Sequence, residues 1–334
     1  MQERHGILKK NAVNRRNAMQ NIKLPTYPAP LSCLCLGTAS MGNEGLTGEP
    51  LDKAFTILDT YYAMGGRFLD TANVYGRWGV DKTNASEQVI GRWLTMRRIT
   101  DMVVTTKACH YAPEAPEISR VTEADMETDI EESRRSLKMD RLDICLLHRD
   151  NEAVDIRTIV DFCVKQVDAG KITRFGFSNY RAERVEKAIA YMGEGWQKYF
   201  AGVSNEWSLA MENAEGYCPG NGMVAADMPL RILAEKKGFG IFPFSSTAHG
   251  FFAKLQQCGA VYEDGAWSNI DQFRGNRNWL SSANGEAYNK LLAASASSGI
   301  SVNTLSLQYL LDQTNTIPVM SVSRPEQLAE LAEL

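Results

Sequence analysis

"LSCLCLGTASMG", residues 31–42, opens with an apolar run and turns at Gly37 into a loop, and the reading of that turn decides the fold. A doubly wound nucleotide-binding sheet carries three glycines, GxGxxG, after its first strand, so that the chain can turn tightly and its backbone can approach a pyrophosphate. Here only Gly37 and Gly42 are present, and that fingerprint is missing. A different arrangement of strands and helices has to be sought along the rest of the chain.

Seven further strand-like runs follow: RFLDTA (67–72), DMVVTTK (101–107), LDICLLH (142–148), RFGFSN (174–179), FAGVSNEW (200–207), GIFPFSS (240–246) and IPVMSVS (317–323). Helical periodicity occupies 51–64, 85–98, 121–138, 155–169, 181–192, 226–237 and 302–313, with Asp155 and Ser301 placed as caps. Strands that alternate with helices imply parallel pairing, because a parallel neighbour is reached only by a crossover. Eight such units predict an α/β fold, a closed (β/α)8 barrel of the TIM type forming one domain over residues 24–334. Closure removes exposed edges, and the helices cover the outer face. Residues 208–225 and 247–284 follow the sixth and seventh strands and are expected to be long loops at the C-terminal face. A last helical pattern, PEQLAELAEL, runs to residue 334.

Of the 334 residues 44% are hydrophobic and 23% charged, the balance of a globular chain. No apolar run approaches the roughly 18 residues of a membrane helix. Residues 1–23 hold six basic side chains against Glu3 and no apolar stretch, and read as a solvated, poorly ordered tail, not a secretory signal. That leaves −9 on the remainder of the chain, which argues against nucleic acid as a ligand. Seven cysteines without CxxC spacing read as reduced thiols, and four histidines without a second ligand at metal spacing give no metal site. The expectation is a cytoplasmic protein, monomeric by default, with neither membrane nor nucleic-acid partner.

In a parallel barrel the residues ending each strand converge on one mouth. Here they are Asp70 with Tyr75 just beyond, Lys107, His148 with Arg149 and Asp150, Ser178 and Asn179, Asn205 to Trp207, and Ser245 to Thr247. A carboxylate, a phenol, a lysine and a histidine at three consecutive strand ends make a proton-transfer cluster. An ammonium beside the phenol is expected to pull the tyrosine pKa down from about 10, with Asp70 holding the lysine charged and in place.

Those four residues make the sequence similar to the aldo-keto reductases, over residues 31–331. The family's DxxxxY, Lys and His tetrad falls on Asp70, Tyr75, Lys107 and His148. Ser178-Asn179 resembles the holder of the nicotinamide carboxamide, Glu206-Trp207 the place where an aromatic ring stacks on the nicotinamide, and SVSRPEQLAE (321–330) the adenosine end. The resemblance implies an NAD(P)H-dependent oxidoreductase that interconverts a small-molecule carbonyl and an alcohol. The cofactor would supply hydride and Tyr75 the proton, with His148 orienting the carbonyl. Implied cofactor contacts are Gly37, Thr38, Asp70, Ser178, Asn179, Ser204, Trp207, Ser245, Ser246, Thr247, Gly250, Ser321, Ser323, Arg324 and Gln327.

Four features depart from the family pattern: Ser204 replaces the usual glutamine, the loop after Tyr75 is longer than common, Ser246 replaces a proline, and in the last motif Ser323 stands at a frequent arginine, with Arg324 beside it, and Leu331 at a frequent asparagine. A guanidinium recognises phosphate bidentately, so Arg324 with Ser323 points to the adenosine 2′-phosphate and to NADPH, with NADH the alternative. Trp78, His110, Arg149 and Phe251, together with Tyr111 and Trp267, are expected to rim the mouth as substrate residues. Rings mixed with charged hydrogen-bonders favour a sugar-like carbonyl or alcohol. A nucleotide-sensing module of the same fold, with little turnover, is the rival reading.

Overall fold

In the computed structural model, which describes residues 19–214 and 222–331, eight strands lie parallel in one sheet. They are β1 (Cys35–Gly37), β2 (Phe68–Asp70), β3 (Val103–Ala108), β4 (Leu142–Leu147), β5 (Ile172–Ser178), β6 (Phe200–Ser204), β7 (Gly240–Ile241) and β8 (Val319–Met320). β8 pairs with β1 through Val319 to Cys35 and Met320 to Leu36. The seam with β7 closes just ahead of β8: Ile317 N donates to Ile241 O at 2.9 Å and Val319 N to Pro243 O at 2.8 Å. The fold is the expected (β/α)8 barrel.

Between the strands run α1 (Glu49–Ala63), α2 (Ala85–Arg97), α3 (Glu123–Leu137), α4 (Ile156–Asp168), α5 (Ala182–Met192) and α6 (Met228–Lys237). After β7 come α7 (Phe251–Gln257), α8 (Ser282–Ser298) and α9 (Val302–Leu311), and after β8 comes α10 (Glu326–Leu331). Asp155 and Ser301 cap α4 and α9 as their positions suggest, each accepting from a backbone N–H of the first turn.

The barrel is filled from inside by Cys35, Phe68, Ile144, Leu146, Ala201, Phe242 and Ile317, against which Leu24, Tyr27 and Leu31 pack. Those last three reveal a correction. The run at 31–38 is two elements, since Leu31–Ser32 pairs antiparallel with Asn21–Ile22 and only Cys35–Gly37 enters the barrel. Residues 19–23, expected in the tail, are therefore ordered, with Met19 N bonded to Met64 O at 2.9 Å. The hairpin's loop anchors on the barrel through Thr26 Oγ1, which donates to Ala201 O at 2.7 Å. The remainder of the expected tail, residues 1–18, lies outside the described residues.

The second correction concerns 247–284. That segment is folded: it contains α7, a hairpin of Val261–Glu263 with Ala266–Ser268, and the start of α8. Phe251, Phe252, Leu255, Phe273, Trp279 and Tyr288 give it a core of its own, joined by Ala210 and Met211 from the segment after β6. Within 208–225, Leu209–Glu212 is helical and residues 215–221 lie outside the described residues. Cys33, Cys35, Cys109, Cys145, Cys163 and Cys258 are unpaired, and Cys218 falls outside. Among the described residues no helix is long and apolar enough to cross a membrane.

Candidate active site

Parallel register brings the tetrad together. Asp70 ends β2 opposite Thr105 of β3, and Lys107 lies two residues further on the same face. From there Lys107 Nζ donates to both Asp70 oxygens at 2.7 and 2.8 Å, to Thr71 O at 2.9 Å and to Tyr75 Oη at 3.2 Å. Tyr75 is set by the turn after β2, where its N–H donates to Ala72 O at 3.0 Å. His148 follows β4 directly; its N–H donates to Ala108 O at 2.8 Å and its carbonyl accepts from Asn179 Nδ2 at 3.2 Å. The His148 and Tyr75 rings stand at 78° with centroids 5.8 Å apart.

Burial decides the electrostatics. It raises the Asp70 carboxyl, with Lys107 opposing. At Lys107 burial works against the charge, but Asp70 and Tyr75 override it and the ammonium is held more firmly than an ordinary lysine's. Burial also raises the Tyr75 phenol above its ordinary value, and Lys107 offsets only part of that rise. The sequence reading had the opposite sign. A phenol losing water gives up more than is restored by one ammonium already committed to a carboxylate. Burial pushes His148 well down, assisted by His110, Lys107 and Arg149, so its imidazole is neutral at pH 7. His110 is pushed down to about 4, again chiefly by burial.

The tetrad faces a cavity of about 710 Å³. A second groove, of about 390 Å³, shares Thr247, Gly250, Asn303, Met320, Ser321 and Gln327 with it, so one channel runs from Tyr75 to the C-terminal motif. The model of the Aldo/keto reductase family matches residues 33–334. The chain belongs to the aldo/keto reductase family. Among its relatives is an aryl-alcohol dehydrogenase of Pestalotiopsis microspora, 26% identical over 91% of this chain and 74% of that protein. A norsolorinic acid reductase A of Aspergillus parasiticus is 25% identical over 70% of this chain, a match that spans 58% of the relative. Of solved structures, a glycerol dehydrogenase from Gluconobacter oxydans superposes with a TM-score of 0.69 at 21% identity, over 93% of this chain and 89% of that one. A thermostable aldo-keto reductase solved with the inhibitor epalrestat gives 0.66 at 17%, over 94% and 93%. At those identities the likeness is one of fold.

In this aldo/keto reductase the channel walls include Gly37, Asp70, Ser178, Asn179, Ser245, Ser246, Thr247, Gly250, Ser321 and Gln327, with Trp78, His110, Tyr111 and Arg149 near the tetrad. Other expected residues lie elsewhere. Thr38 turns inward and donates to Asp70 O at 2.9 Å, steadying the end of β2. Ser204 is buried behind the wall, where its carbonyl accepts from Ser178 Oγ at 2.8 Å and Asn179 N at 3.2 Å. Trp207 packs off the cavity, with the Arg231 guanidinium carbon 4.6 Å from its ring centre and Tyr309 at 5.9 Å. Phe251 and Trp267 are spent in the core of the insertion. Ser323 and Arg324 are tied to Gln327 Oε1 through their backbone N–H groups, at 2.8 and 3.1 Å, and line neither part of the channel.

Several residues on the walls escaped the sequence reading, Phe244, Asn303 and Lys254 among them. Phe244 lies beside Ser245 and occupies the wall that Trp207 does not, and its signal was the aromatic directly ahead of the strand-end serines. Asn303, in the first turn of α9, lines both parts of the channel with a buried Oδ1 that has no partner. Lys254 of α7 lines the far groove. Nothing local in the sequence distinguishes the last two.

Proposed function

We propose that this chain reduces aldehyde or ketone carbonyls with NADPH, Tyr75 giving the proton, and that alcohol oxidation uses the same groups in reverse. The observation that carries the reading is the hydrogen-bonded set of Asp70, Lys107 and Tyr75, opening with a neutral His148 at one end of the channel.

The residues present fit an extended dinucleotide. The unpartnered Asn303 Oδ1 is an acceptor on the shared wall, and a polar atom buried in that state is costly unless a ligand supplies its donor. Between Ser245 and Gly250 the non-glycine residues Ser245, Ala248 and His249 have φ of 54°, 50° and 54°, a strained turn of the kind that ligand sites retain. Ser178 and Asn179, with Phe244 nearby, would hold the nicotinamide, the strained turn and Lys254 the phosphates, and Ser321 and Gln327 the adenosine. For the adenosine 2′-phosphate, which the sequence suggested for Arg324, Lys254 on the far groove is the cation nearer the channel.

When bound, the reduced nicotinamide supplies hydride. Tyr75, kept as a phenol by burial, passes its proton to the carbonyl oxygen. The Lys107 ammonium stabilises the phenolate left behind, and Asp70 fixes that ammonium in place. The neutral His148 imidazole donates a hydrogen bond that orients the carbonyl. The names of the relatives, an aryl-alcohol dehydrogenase and a norsolorinic acid reductase, support carbonyl–alcohol chemistry.

Fluorescence titration with NADPH and NADH, followed by turnover of a carbonyl panel, tests the reading. Tyr75→Phe is expected to retain NADPH binding and to lose about 10²–10⁴-fold in kcat. Absence of cofactor binding would overturn the proposal, and binding without turnover of any carbonyl would favour the sensing module.

A further inference from the structure

We infer that Arg149 binds an anionic group, carboxylate or phosphate, carried by the substrate itself, so that the preferred substrates are acidic aldehydes or ketones. The inference rests on the carbonyl-reductase reading and adds the substrate class to it.

Arg149 follows His148, so the end of β4 fixes its backbone, and its side chain lines the cavity with Trp78, His110 and Tyr111. Its guanidinium carbon lies 5.9 Å from the Tyr111 ring centre. Its Nε is buried without a hydrogen-bond partner, and among the described residues it forms no ion pair. The neighbouring carboxylate is already committed: Asp150 accepts from Arg184 Nη2 and Nε at 2.7 and 2.9 Å. The sequence reading set Arg149, with Asp150 beside it, towards a sugar-like substrate; the structure commits Asp150 to Arg184 and leaves Arg149 facing the cavity, whose walls also carry Glu206 and the Lys107-bound Asp70.

Among the other half-buried arginines Arg77 holds Glu132 and Arg120 holds Asp129, while Arg174 donates to the Thr26 and Thr173 carbonyls; Arg149 has neither kind of partner among the described residues. A buried Nε without an acceptor is unfavourable, and a ligand whose anionic oxygens accept from it removes that cost while meeting the cation's charge, less what the ligand loses in leaving water. The cofactor phosphates are the other anions in prospect, but the strained turn and Lys254 place their site along the channel towards α9. Arg149 sits at the opposite, tetrad end, near enough for its charge to act on Tyr75, His110 and His148.

The test compares matched carbonyls with and without the anion: 4-carboxybenzaldehyde with benzaldehyde, and glyceraldehyde 3-phosphate with glyceraldehyde. The wild type is expected to favour the anionic member of at least one pair about tenfold or more in kcat/KM, through KM, the size of one charge-assisted contact. The favoured pair tells carboxylate from phosphate. Arg149→Met should abolish the preference and Arg149→Lys restore part of it. A wild type without preference in either pair, or Arg149→Met retaining it, overturns the inference while leaving the reductase reading standing. Loss of NADPH affinity in Arg149→Met without any anion preference would assign the guanidinium to the cofactor, which also overturns it. Should the wild type reduce none of these compounds, calorimetric binding of 4-carboxybenzyl alcohol and benzyl alcohol still decides, since equal affinity rules out an anion site.

Discussion

Lys107 makes four polar contacts with an ammonium that has three hydrogens, and the contact to Tyr75, at 3.2 Å, is the longest. Asp70 takes most of the charge, and the phenol is left an acid above its ordinary pKa. The consequence is directional. On the proposed mechanism carbonyl reduction needs the protonated phenol, so its kcat/KM is expected to stay flat between about pH 6 and 9, while alcohol oxidation, which would need the phenolate, climbs across that range. Initial rates in both directions measure this, and a reduction rate halved by pH 8 would mean that Lys107 outweighs burial after all. The tetrad was legible in the sequence because each member ends or follows a recognisable apolar strand. Trp207 was misread for the same reason: FAGVSNEW looks like one continuous strand, but β6 stops at Ser204 and the chain then bends so that the indole packs on Arg231. Only the path of the chain after the strand separates Trp207 from Phe244.

At the scale of elements, Glu87 joins α2 to the barrel. It is fully buried, accepting from Thr106 Oγ1 of β3 at 2.5 Å and from Asn84 Nδ2 at 2.7 Å. Burial pushes its pKa up to about 7, against the hydrogen bonds that favour the charged form. Between the ordinary glutamate value and about 7 the folded chain therefore holds a proton that the unfolded chain releases, and stability falls as pH rises through that window. The loss reaches about 3 kcal/mol above pH 7. Glu87→Gln mimics the protonated side chain, so urea melts from pH 4.5 to 8 should show that part of the slope flattened and the variant the more stable at pH 8. A variant less stable than wild type at pH 8 would refute this. Helices such as α4, which buries Ile156, Ile159, Val160 and Cys163, and α5, which buries Val185, Ala188 and Ile189, were readable because each buries one periodic stripe. The sequence of α8, SANGEAYNKLLAASASS, has no such stripe, and only Asn284, Gly285 and Tyr288 of it are buried. Its helical form comes from packing in the insertion, which a local pattern does not carry.

Across the whole molecule the far part of the channel lies where the barrel is least tightly laced. β3, β4 and β5 span six, six and seven residues and pair along most of their length, whereas β7 and β8 span two each. The far groove is built from α7 and α9, which pack on each other in the connection between β7 and β8, and from α10 and the stretch after β8. A dinucleotide bound there would bridge segments that the backbone ladder joins weakly, and its binding energy would appear as resistance to opening of the seam. At a hundredfold excess over the dissociation constant, NADPH should stabilise the fold by about 2.7 kcal/mol. For a chain of this length that corresponds to a rise of about 4 °C in Tm. Amide exchange should slow in β7, β8, α9 and α10, whose opening the ligand would block, as well as in those amides of β3 to β5 that exchange only through global unfolding. A rise in Tm with protection confined to β2 to β4 would place the ligand at the tetrad end alone, and an unchanged Tm would remove the channel as a dinucleotide site.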